Sequence, residues 1–585
     1  MSDAIRKAEE FLNCEWAFRL GELTTEALHP KTINLSETAA QDLPAAIRLL
    51  QSVDEDILPA TKKAFEHDSF GRLVEAFGEA LTAGKRIYFT GCGATGRLSI
   101  LLEAAWRRFW RERTQVPPEL EGMQDRVYSV MAGGDYALIK SVEGYEDFPG
   151  FGRRQLSERG VGDGDVVVAI TEGGETPFVI GTAWEGFDAE AKVFFVYNNP
   201  TEVLRQHVER SREVIDEARI TKLDLTTGPM AISGSTRMQA TTAELLIVGS
   251  ALEISLVRFL RQKLSPAYIE ELGLELKETD DYYRRFCELL EQLSSPEAID
   301  ALVRATLFEE DIYRRKGLVT YTADAFLLDV LTDTTERSPT FMLPAFRKND
   351  DIRSPRSWAF VKDPLRDTNQ AWHALLQREP RGLSWGRETY EQLNAPDNLK
   401  ARPPKLDNAE IYKFMIGDEL DPSRTDAPDS ALVAVAVGGE ADRLIRAALK
   451  KFGPQYKKTA ALVVGLAKAG AAVDETFCFP CPLPDSPLQL WHHLAVKLIL
   501  NTLSTATMVR MDRVIGNAMV WLSPSNKKLI DRGSRLIAQQ SGCTYEQACI
   551  ALHEAMEEVE SAQRQGVEAP SPVALAIKLL KEKPG

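Results

Sequence analysis

Residues 86–97 read R-I-Y-F-T-G-C-G-A-T-G-R and place a short apolar segment directly before a glycine-rich turn. This pattern is typical of a strand that ends in a tight turn and continues into a helix. Glycines let the backbone of such a turn approach an anion, and the N-terminus of the helix offers free N–H groups and the positive end of its dipole. The stretch therefore predicts a phosphate-binding turn at the edge of a parallel sheet.

The turn at 91–96 also matches the G-x-G-x-x-G pattern of dinucleotide-binding domains, which is weak evidence when it stands alone. In such a domain the second strand is followed by an acid that binds the ribose. Here the second strand, ending at Met131, runs into A-G-G-D at 132–135 and then an acidic segment at 143–147. This difference favours a sugar-phosphate turn, and a strand-to-helix turn without any ligand stays an alternative.

Strand and helix patterns alternate on both sides of this turn and predict an α/β fold with parallel sheets. The same plan occurs twice, each time closed by a long apolar helix, at 235–260 and at 487–511. A Pro- and charge-rich segment at 378–428 predicts irregular insertions in the second copy. We expect three parts: 1–300 with N-terminal helices and the ligand turn, 301–511 with a degenerate turn, and 512–585 with helices only. The predicted strands are 86–90, 127–131, 165–170, 192–197, 317–322, 358–362, 431–437 and 459–466.

Composition excludes several classes of protein. Of the 585 residues 44% are hydrophobic and 27% charged, which is typical of globular rather than disordered chains. The net charge of −16, without a long basic run, argues against nucleic acid as a partner. We expect no signal peptide and no membrane span. We also expect a cytoplasmic location, because seven sparse cysteines fit a reducing compartment. Cys478 and Cys481 form a lone C-x-x-C that we interpret as a strand end, so no metal and no cofactor are predicted.

Five motifs occur in an order and spacing that resemble the N-acetylmuramic acid 6-phosphate etherase family. They are GCGATGR at 91–97, MAGGDYAL at 131–138, VEGYED at 142–147, DVVVAITEGGETPFV at 165–179 and SGSTRMQATTAEL at 233–245. That family has one sugar-isomerase (SIS) domain and acts as a homodimer. The two copies and the segments 487–511 and 516–543 resemble the glucokinase regulatory protein family. The resemblance implies two tandem SIS domains, which are flavodoxin-like and doubly wound, plus an all-helical lid domain.

The resemblance also implies a set of residues that hold the phosphate with backbone N–H groups and hydroxyls. Thr95 replaces the usual serine of the family but keeps a hydroxyl. Glu172 and Glu175 depart from the family pattern, and two carboxylates beside a phosphate oppose binding unless they point outward. The predicted phosphate residues are Gly93, Thr95, Gly96, Thr171, Gly173, Thr176, Ser233, Ser235 and Arg237.

Two glutamates act as base and acid in the etherase family, and the resemblance places them in different copies of this chain. Glu146 matches one of them. The other stands fourteen residues beyond the first glycine of the turn, which is Ala105 here, whereas the same spacing from Thr322 in the second copy reaches Glu336. We therefore predict one site per chain that combines Glu146 with Glu336. The alternative is that Glu336 is a solvated residue at a helix end.

A third contribution to the site is implied for the C-terminal domain. In LSPSNKKLIDR the resemblance directs Asn526, Lys528 and Arg532 to the ligand, where the cations offset phosphate charge. Lys528 and Arg532 are four residues apart and share one helical face. A capped helix N-terminus with a solvated basic face is an equally good interpretation of this segment.

Two classes of function follow from these expectations. The first is a protein that senses a hexose or amino-sugar phosphate and, by analogy, has a sugar kinase as partner. The second is an etherase, a carbon–oxygen lyase that releases lactate by using Glu146 and Glu336, and a phosphosugar isomerase is a more distant third. In either class we expect a monomer that forms an internal pseudo-dimer.

Overall fold

The computed structural model describes residues 3–112, 117–142, 144–466, 468–564 and 570–582. Within these residues the chain forms two parallel sheets of five strands each. Amphipathic helices precede the first sheet, as the spacing of apolar residues from Leu43 to Leu81 predicts. They are α1 (Asp3–Cys14), α2 (Leu35–Gln41), α3 (Leu43–Asp54), α4 (Ile57–Glu66) and α5 (Asp68–Thr82).

The first copy contains a sheet with the strand order β2-β1-β3-β4-β5. The central strands β1 and β3 are buried along their whole length, because helices cover both faces of the sheet. Its strands are β1 (Ile87–Gly91), β2 (Val127–Met131), β3 (Val166–Ile170), β4 (Lys192–Tyr197) and β5 (Thr221–Asp224). Its helices are α6 (Gly93–Arg111), α7 (Pro149–Ser157), α8 (Pro177–Asp188), α9 (Thr201–His207), α10 (Glu209–Asp216) and α11 (Gln239–Lys263).

A helical connector leads to the second copy, whose sheet has the order β10-β9-β8-β6-β7 and so repeats the plan of the first. This is the doubly wound order in which ligands bind at the carboxyl ends of the strands, and it confirms the predicted fold class. The connector helices are α12 (Pro266–Glu271), α13 (Thr279–Leu293) and α14 (Pro296–Arg314). The strands are β6 (Val319–Thr322), β7 (Ala359–Lys362), β8 (Ala431–Val437), β9 (Lys458–Val464) and β10 (Glu475–Phe479).

The helices of the second copy include three short ones between β7 and β8, in the segment predicted to hold insertions. They are α15 (Leu327–Phe341), α16 (Thr368–Leu376), α17 (Arg387–Gln392), α18 (Asp397–Ala401), α19 (Asn408–Ile411), α20 (Ala441–Phe452) and α21 (Leu490–Arg510). Cys478 lies in β10 and Cys481 just beyond its end, and both thiols are free.

The insertion of the second copy packs onto the first copy. Buried Arg378 donates to Asp135 at 2.5 and 3.2 Å and lies 3.1 Å from Glu103, while Arg381 lies 2.9 Å from the same glutamate. The hydroxyl of Tyr390 contacts that of Tyr145. The insertion thereby fixes the segment that follows β2.

Three C-terminal helices close the structure. The first ends at Gly542, whose φ of +71° suits the left-handed conformation expected of a helix-ending glycine. Gly533 lets the three helices approach closely, since a Cβ there would lie 3.0 Å from Leu552 and from Val573. They are α22 (Lys527–Ser541), α23 (Tyr545–Arg564) and α24 (Pro572–Glu582). Among the described residues, no helix is both long and apolar enough to span a membrane.

Candidate functional site

The glycine-rich turn joins β1 to α6 with a geometry that only glycine permits at two positions. A Cβ on Gly91 would lie 2.4 Å from the carbonyl carbon of Thr95, and Gly93 has a φ of +56°. The helix begins at Gly93, so the free N–H groups of its first turn lie at the end of the strand. The turn has the arrangement that binds anions at helix N-termini.

Two other residues of the turn support its shape. The hydroxyl of Thr95 accepts from the backbone N–H of Cys92 at 3.0 Å and donates to the Cys92 carbonyl at 2.9 Å, which caps the helix. Gly96 makes room for Met131, because a Cβ there would lie 2.6 Å from its Cγ. Thr95 therefore stabilises the turn by hydrogen bonds, and Gly96 allows it to pack closely against Met131.

A cavity of about 350 Å³, called the first cavity below, lies at this turn and is lined by both copies and by α22. Its wall also includes Arg97 and Glu172. The predicted residues that line it are Gly93, Glu146, Thr176, Ser235, Arg237, Glu336, Asn526, Lys528 and Arg532.

The remaining predicted residues are not among those that line the cavity. Thr171 donates through its hydroxyl to that of Thr176 at 3.0 Å, and Ser233 donates to the carbonyl of Glu26 at 3.2 Å. Thr171 thereby orients Thr176, which lines the cavity, whereas Ser233 contacts a residue that does not line it. The set consists of Thr95, Gly96, Thr171, Gly173 and Ser233.

Buried ion pairs join the two copies at the cavity. Arg97 of the first copy lies 3.8 Å from Glu336 of the second, and both side chains are buried. Arg237 of the first copy lies 3.0 Å from Asp333 of the second. The cavity wall is thus a composite of the two copies.

Glu336 is a buried carboxyl group with little compensation. It is 5% exposed, and its Oε1 receives no hydrogen bond from the described residues. Burial raises the pKa of Glu336, and this effect outweighs the opposing effect of Arg97. The side chain is therefore suited to hold a proton at a pH where exposed glutamates are ionised.

Lys528 of α22 contacts Glu146, the other glutamate of the predicted catalytic pair. Its Nζ lies 3.5 Å from Glu146 and 2.7 Å from Glu175, and Asn526 donates to Glu146 at 3.4 Å. Burial alone would lower the pKa of Lys528, but Glu175 and Glu146 raise it above its ordinary value. Lys528 thus carries a positive charge at the cavity wall.

Arg532 is bound by a residue that the sequence analysis does not single out. Its guanidinium donates to both carboxylate oxygens of Glu26, at 2.8 and 2.5 Å, and Arg535 binds the same carboxylate. Gly234 permits this position, because a Cβ there would lie 2.6 Å from Arg532 Nε. Glu26 lies in a short turn between α1 and α2, where no sequence pattern marks it.

The two glutamates that depart from the family pattern have different environments. Glu175 pairs with Arg210 at 2.6 Å and with Lys528, so its charge is compensated. Glu172 lines the first cavity, and burial raises its pKa to about 7. Of these two glutamates, Glu172 is the one that presents a carboxyl group without an ion-pair partner among the described residues to the cavity.

Three buried polar atoms at the first cavity have no hydrogen-bond partner among the described residues. They are the hydroxyl oxygen of Ser235, the Nε of Arg237 and the Oε1 of Glu336. Buried polar groups are nearly always paired, so unpaired ones at a cavity indicate a place where a ligand or water binds.

Comparison with known proteins finds both a matching family model and similar sequences. A family model described as the glucokinase regulatory protein N-terminal SIS domain matches residues 72–184. An N-acetylmuramic acid 6-phosphate etherase of Clostridium acetobutylicum is 30% identical over 288 residues, which are 49% of this chain and 86% of the relative. The etherase of Salinibacter ruber is 28% identical over 263 residues, which are 45% of this chain and 74% of the relative.

A solved structure, the C-terminal domain of glucosamine-fructose-6-phosphate aminotransferase from Francisella tularensis, covers 80% of this chain and 96% of its own length. Its TM-score is 0.42 and its sequence identity 12%. The sequence match to the etherase of Clostridium acetobutylicum spans 86% of the etherase at 30% identity. On the strength of this sequence match, the chain belongs to the N-acetylmuramic acid 6-phosphate etherase family.

Proposed function

We propose that this protein binds a phosphorylated hexose or amino sugar in the first cavity and acts as a sensor of that metabolite. The observation that carries the proposal is that the glycine turn, Glu146, Glu336 and Lys528 line one cavity although they belong to three parts of the chain. Family membership supports a sugar phosphate as the ligand, because the named relatives act on one.

The phosphate group is best accommodated at the N-terminus of α6. The N–H groups of the helix and the unpaired hydroxyl of Ser235 provide donors there. Lys528 and Arg532 add positive charge from α22. These cations are paired with Glu175 and Glu26, so a phosphate would compete with carboxylates for them.

The sugar hydroxyls face the two glutamates in this arrangement. Glu146 is held by Asn526 and Lys528, and Glu336 has an oxygen without a hydrogen bond from the described residues. Carboxyl groups at both ends of a cavity bind hydroxyls by accepting or donating hydrogen bonds. The site thus combines an anion-binding end with a hydroxyl-binding end.

Calorimetry with glucosamine 6-phosphate, fructose 6-phosphate and glucose tests this function. We expect the phosphates to bind roughly a hundredfold more tightly than glucose, since charge-assisted contacts are worth a few kcal/mol. The expected stoichiometry is one sugar phosphate per chain, because the second copy lacks the glycine turn. Equal affinity for glucose and the phosphates would contradict the proposal.

A second candidate function is the etherase reaction itself, favoured by the pair of glutamates on one cavity. Glu146, with a cation beside it, would act as base on the C2 proton of N-acetylmuramic acid 6-phosphate. Glu336, whose pKa is raised by burial, would donate a proton to the ether oxygen as the lactyl group leaves. The C2–H and C3–O bonds break, a C2–C3 double bond forms, and addition of water completes the reaction.

Lactate release from N-acetylmuramic acid 6-phosphate separates the two functions. For an etherase, Glu336→Gln and Glu146→Gln should each lower the rate by about 10²–10⁴-fold. For a sensor, no lactate forms, and each variant weakens ligand binding by about 1–3 kcal/mol. Glu388→Gln, at an exposed position of α17, is the matched control and should change neither quantity.

Other features of the proposal have their own tests. A sugar kinase as partner, a monomeric state and a cytoplasmic location remain predictions. Co-precipitation with a sugar kinase in the presence and absence of fructose 6-phosphate tests the first, and light scattering tests the second. The internal pseudo-symmetry supports the monomer, because the interface that a homodimeric relative forms between chains is formed here within one chain.

A further inference from the structure

A second cavity, of about 470 Å³, is the pseudo-symmetric counterpart of the first. Ala105 of α6 lines it, and Ala105 occupies the position in the first copy that Glu336 occupies in the second. Residues 487–489, which precede α21, line it as residues 235–237, which precede α11, line the first cavity. Residues 272–285 of the connector cover it where α22 covers the first cavity.

The second cavity contains buried polar atoms that the described residues leave without hydrogen bonds. They are Arg108 Nη1, Gln489 Oε1 and His493 Nε2. His493 is only 4% exposed, and its Nδ1 lies 2.9 Å from Asp329 Oδ1, which fixes the ring. Because Nδ1 donates to Asp329, Nε2 is left as the nitrogen available to a ligand. One donor and two potential acceptors are thus unsatisfied at one cavity.

Arg108 is the strongest of these groups. Its Nη1 has no hydrogen-bond partner among the described residues, and burial lowers the pKa of Arg108. A buried guanidinium N–H without an acceptor is costly, and an anion bound beside it offsets that cost. The guanidinium fork fits a carboxylate well.

The charged residues that line the second cavity favour a singly charged anion over a dianion. The lining contains five acidic residues and four basic ones, which disfavours a dianion such as a phosphate monoester. The turn after β6 also lacks the glycines that let backbone N–H groups approach a phosphate. Trp491 and Leu272 add apolar surface.

We infer that the second cavity binds a small, singly charged, hydroxyl-bearing carboxylic acid, with its carboxylate on Arg108 and its hydroxyls on Gln489 and His493. The first cavity, in contrast, has the helix N-terminus and the cations that suit a phosphate. The chain would then hold two different ligands at two sites that descend from one symmetric pair. This inference does not depend on the identity of the ligand in the first cavity.

Binding of D-gluconate, with glucose as its uncharged counterpart, tests the inference. We expect saturable binding of gluconate with a change in tryptophan fluorescence, and no saturable binding of glucose over the same millimolar range. Trp491→Phe should remove the fluorescence change while calorimetry still detects binding. Arg108→Met and, separately, Gln489→Leu should weaken gluconate binding at least tenfold.

The control variant is Glu146→Gln, which alters the first cavity and should leave gluconate affinity unchanged. Absence of saturable gluconate binding to the parent protein would overturn the inference. So would gluconate binding that Glu146→Gln weakens and that Arg108→Met and Gln489→Leu leave intact, because the ligand would then occupy the first cavity.

Discussion

The two copies share one topology, yet each contains a different half of the proposed site. The first copy has Gly91 and Gly93 in its turn and Ala105 in the position of the second glutamate. The second copy has Thr322 in place of the first glycine and Glu336 at the glutamate position. A pair of identical sites, as a homodimer has, is thereby reduced to one composite cavity and one cavity of different chemistry.

The turn of the second copy shows how the change is accommodated. Asp324 of that turn pairs with Arg366 at 2.7 Å, and Arg366 also donates to Asp363 at 2.8 Å. The turn therefore presents a carboxylate that is already compensated within the second copy. An anion would find Arg366 already paired with two carboxylates there, whereas in the first copy it meets the N–H groups of α6.

The largest expected effect comes from the contact that ties the copies together. Replacing Arg378 by Met leaves Asp135 and Glu103 buried with less compensation, and breaking such a pair costs about 3–5 kcal/mol. Burial alone would raise the pKa of Glu103, but Arg378, Arg381 and Arg107 hold it well below its usual range. We expect the midpoint of thermal or urea unfolding to fall sharply.

Arg387→Met is the matched control for this prediction. Arg387 lies in the same insertion but is exposed, and its ion pair with Glu391 links neighbouring helical turns. Exposed pairs of this kind are worth roughly 0.3–0.5 kcal/mol. If the two variants lose equal stability, the buried ion pairs of Arg378 stabilise the packing of the two copies no more than an exposed ion pair does.

A smaller loss is expected from making the first turn more like the second. In Gly91→Ala the new Cβ meets the backbone of Thr95 at 2.4 Å, and such overpacking costs about 1–3 kcal/mol. The equivalent change in the second copy, Thr322→Ala, removes a buried hydroxyl that has no hydrogen bond from the described residues. It should cost less than about 1 kcal/mol.

Ligand binding should also differ between these two variants. Gly91→Ala should also weaken sugar-phosphate binding in calorimetry, because the turn must open, while Thr322→Ala should leave the affinity unchanged. If Thr322→Ala weakens phosphate binding as much as Gly91→Ala does, the second turn takes part in the site and the assignment of one phosphate turn per chain is wrong.

Much of the fold follows from local patterns in the sequence. The strands Val127–Met131, Lys192–Tyr197 and Ala431–Val437 have the predicted bounds, because continuous apolar runs identify buried parallel strands. The strand Thr221–Asp224 is not predicted, since T-K-L-D lies at the sheet edge and has one buried residue. The helix Pro572–Glu582 is not predicted either.

Only part of the candidate site can be predicted from the sequence. Motif spacing predicts that Glu146 and Glu336 share one site, and both line the first cavity. The pairing of Arg532 with Glu26, and that of Arg378 with Asp135, join residues more than 200 positions apart. Such contacts depend on the packing of whole elements and have no local signature.

The last expected effect is confined to high pH and concerns Glu172, which the second copy lacks. Gly438 and Gly439 follow β8 where Thr171 and Glu172 follow β3. Burial raises the pKa of Glu172 from 4.5 to about 7. Because the folded state then holds the proton more tightly than the unfolded state, stability falls as pH rises from about 4.5 to 7 and stays reduced above that.

Glu172→Gln removes this titration and makes the first cavity resemble the second copy in charge. At pH 5 the variant and the parent should unfold at nearly the same urea concentration. At pH 8 the variant should be more stable by on the order of 1–3 kcal/mol, since each pKa unit corresponds to about 1.4 kcal/mol. Its affinity for fructose 6-phosphate should also exceed that of the parent at pH 8, because an ionised carboxylate no longer faces the phosphate. If the affinity and stability of the parent match those of the variant at both pH values, Glu172 is ionised at little cost. The first cavity would then tolerate a carboxylate beside the phosphate.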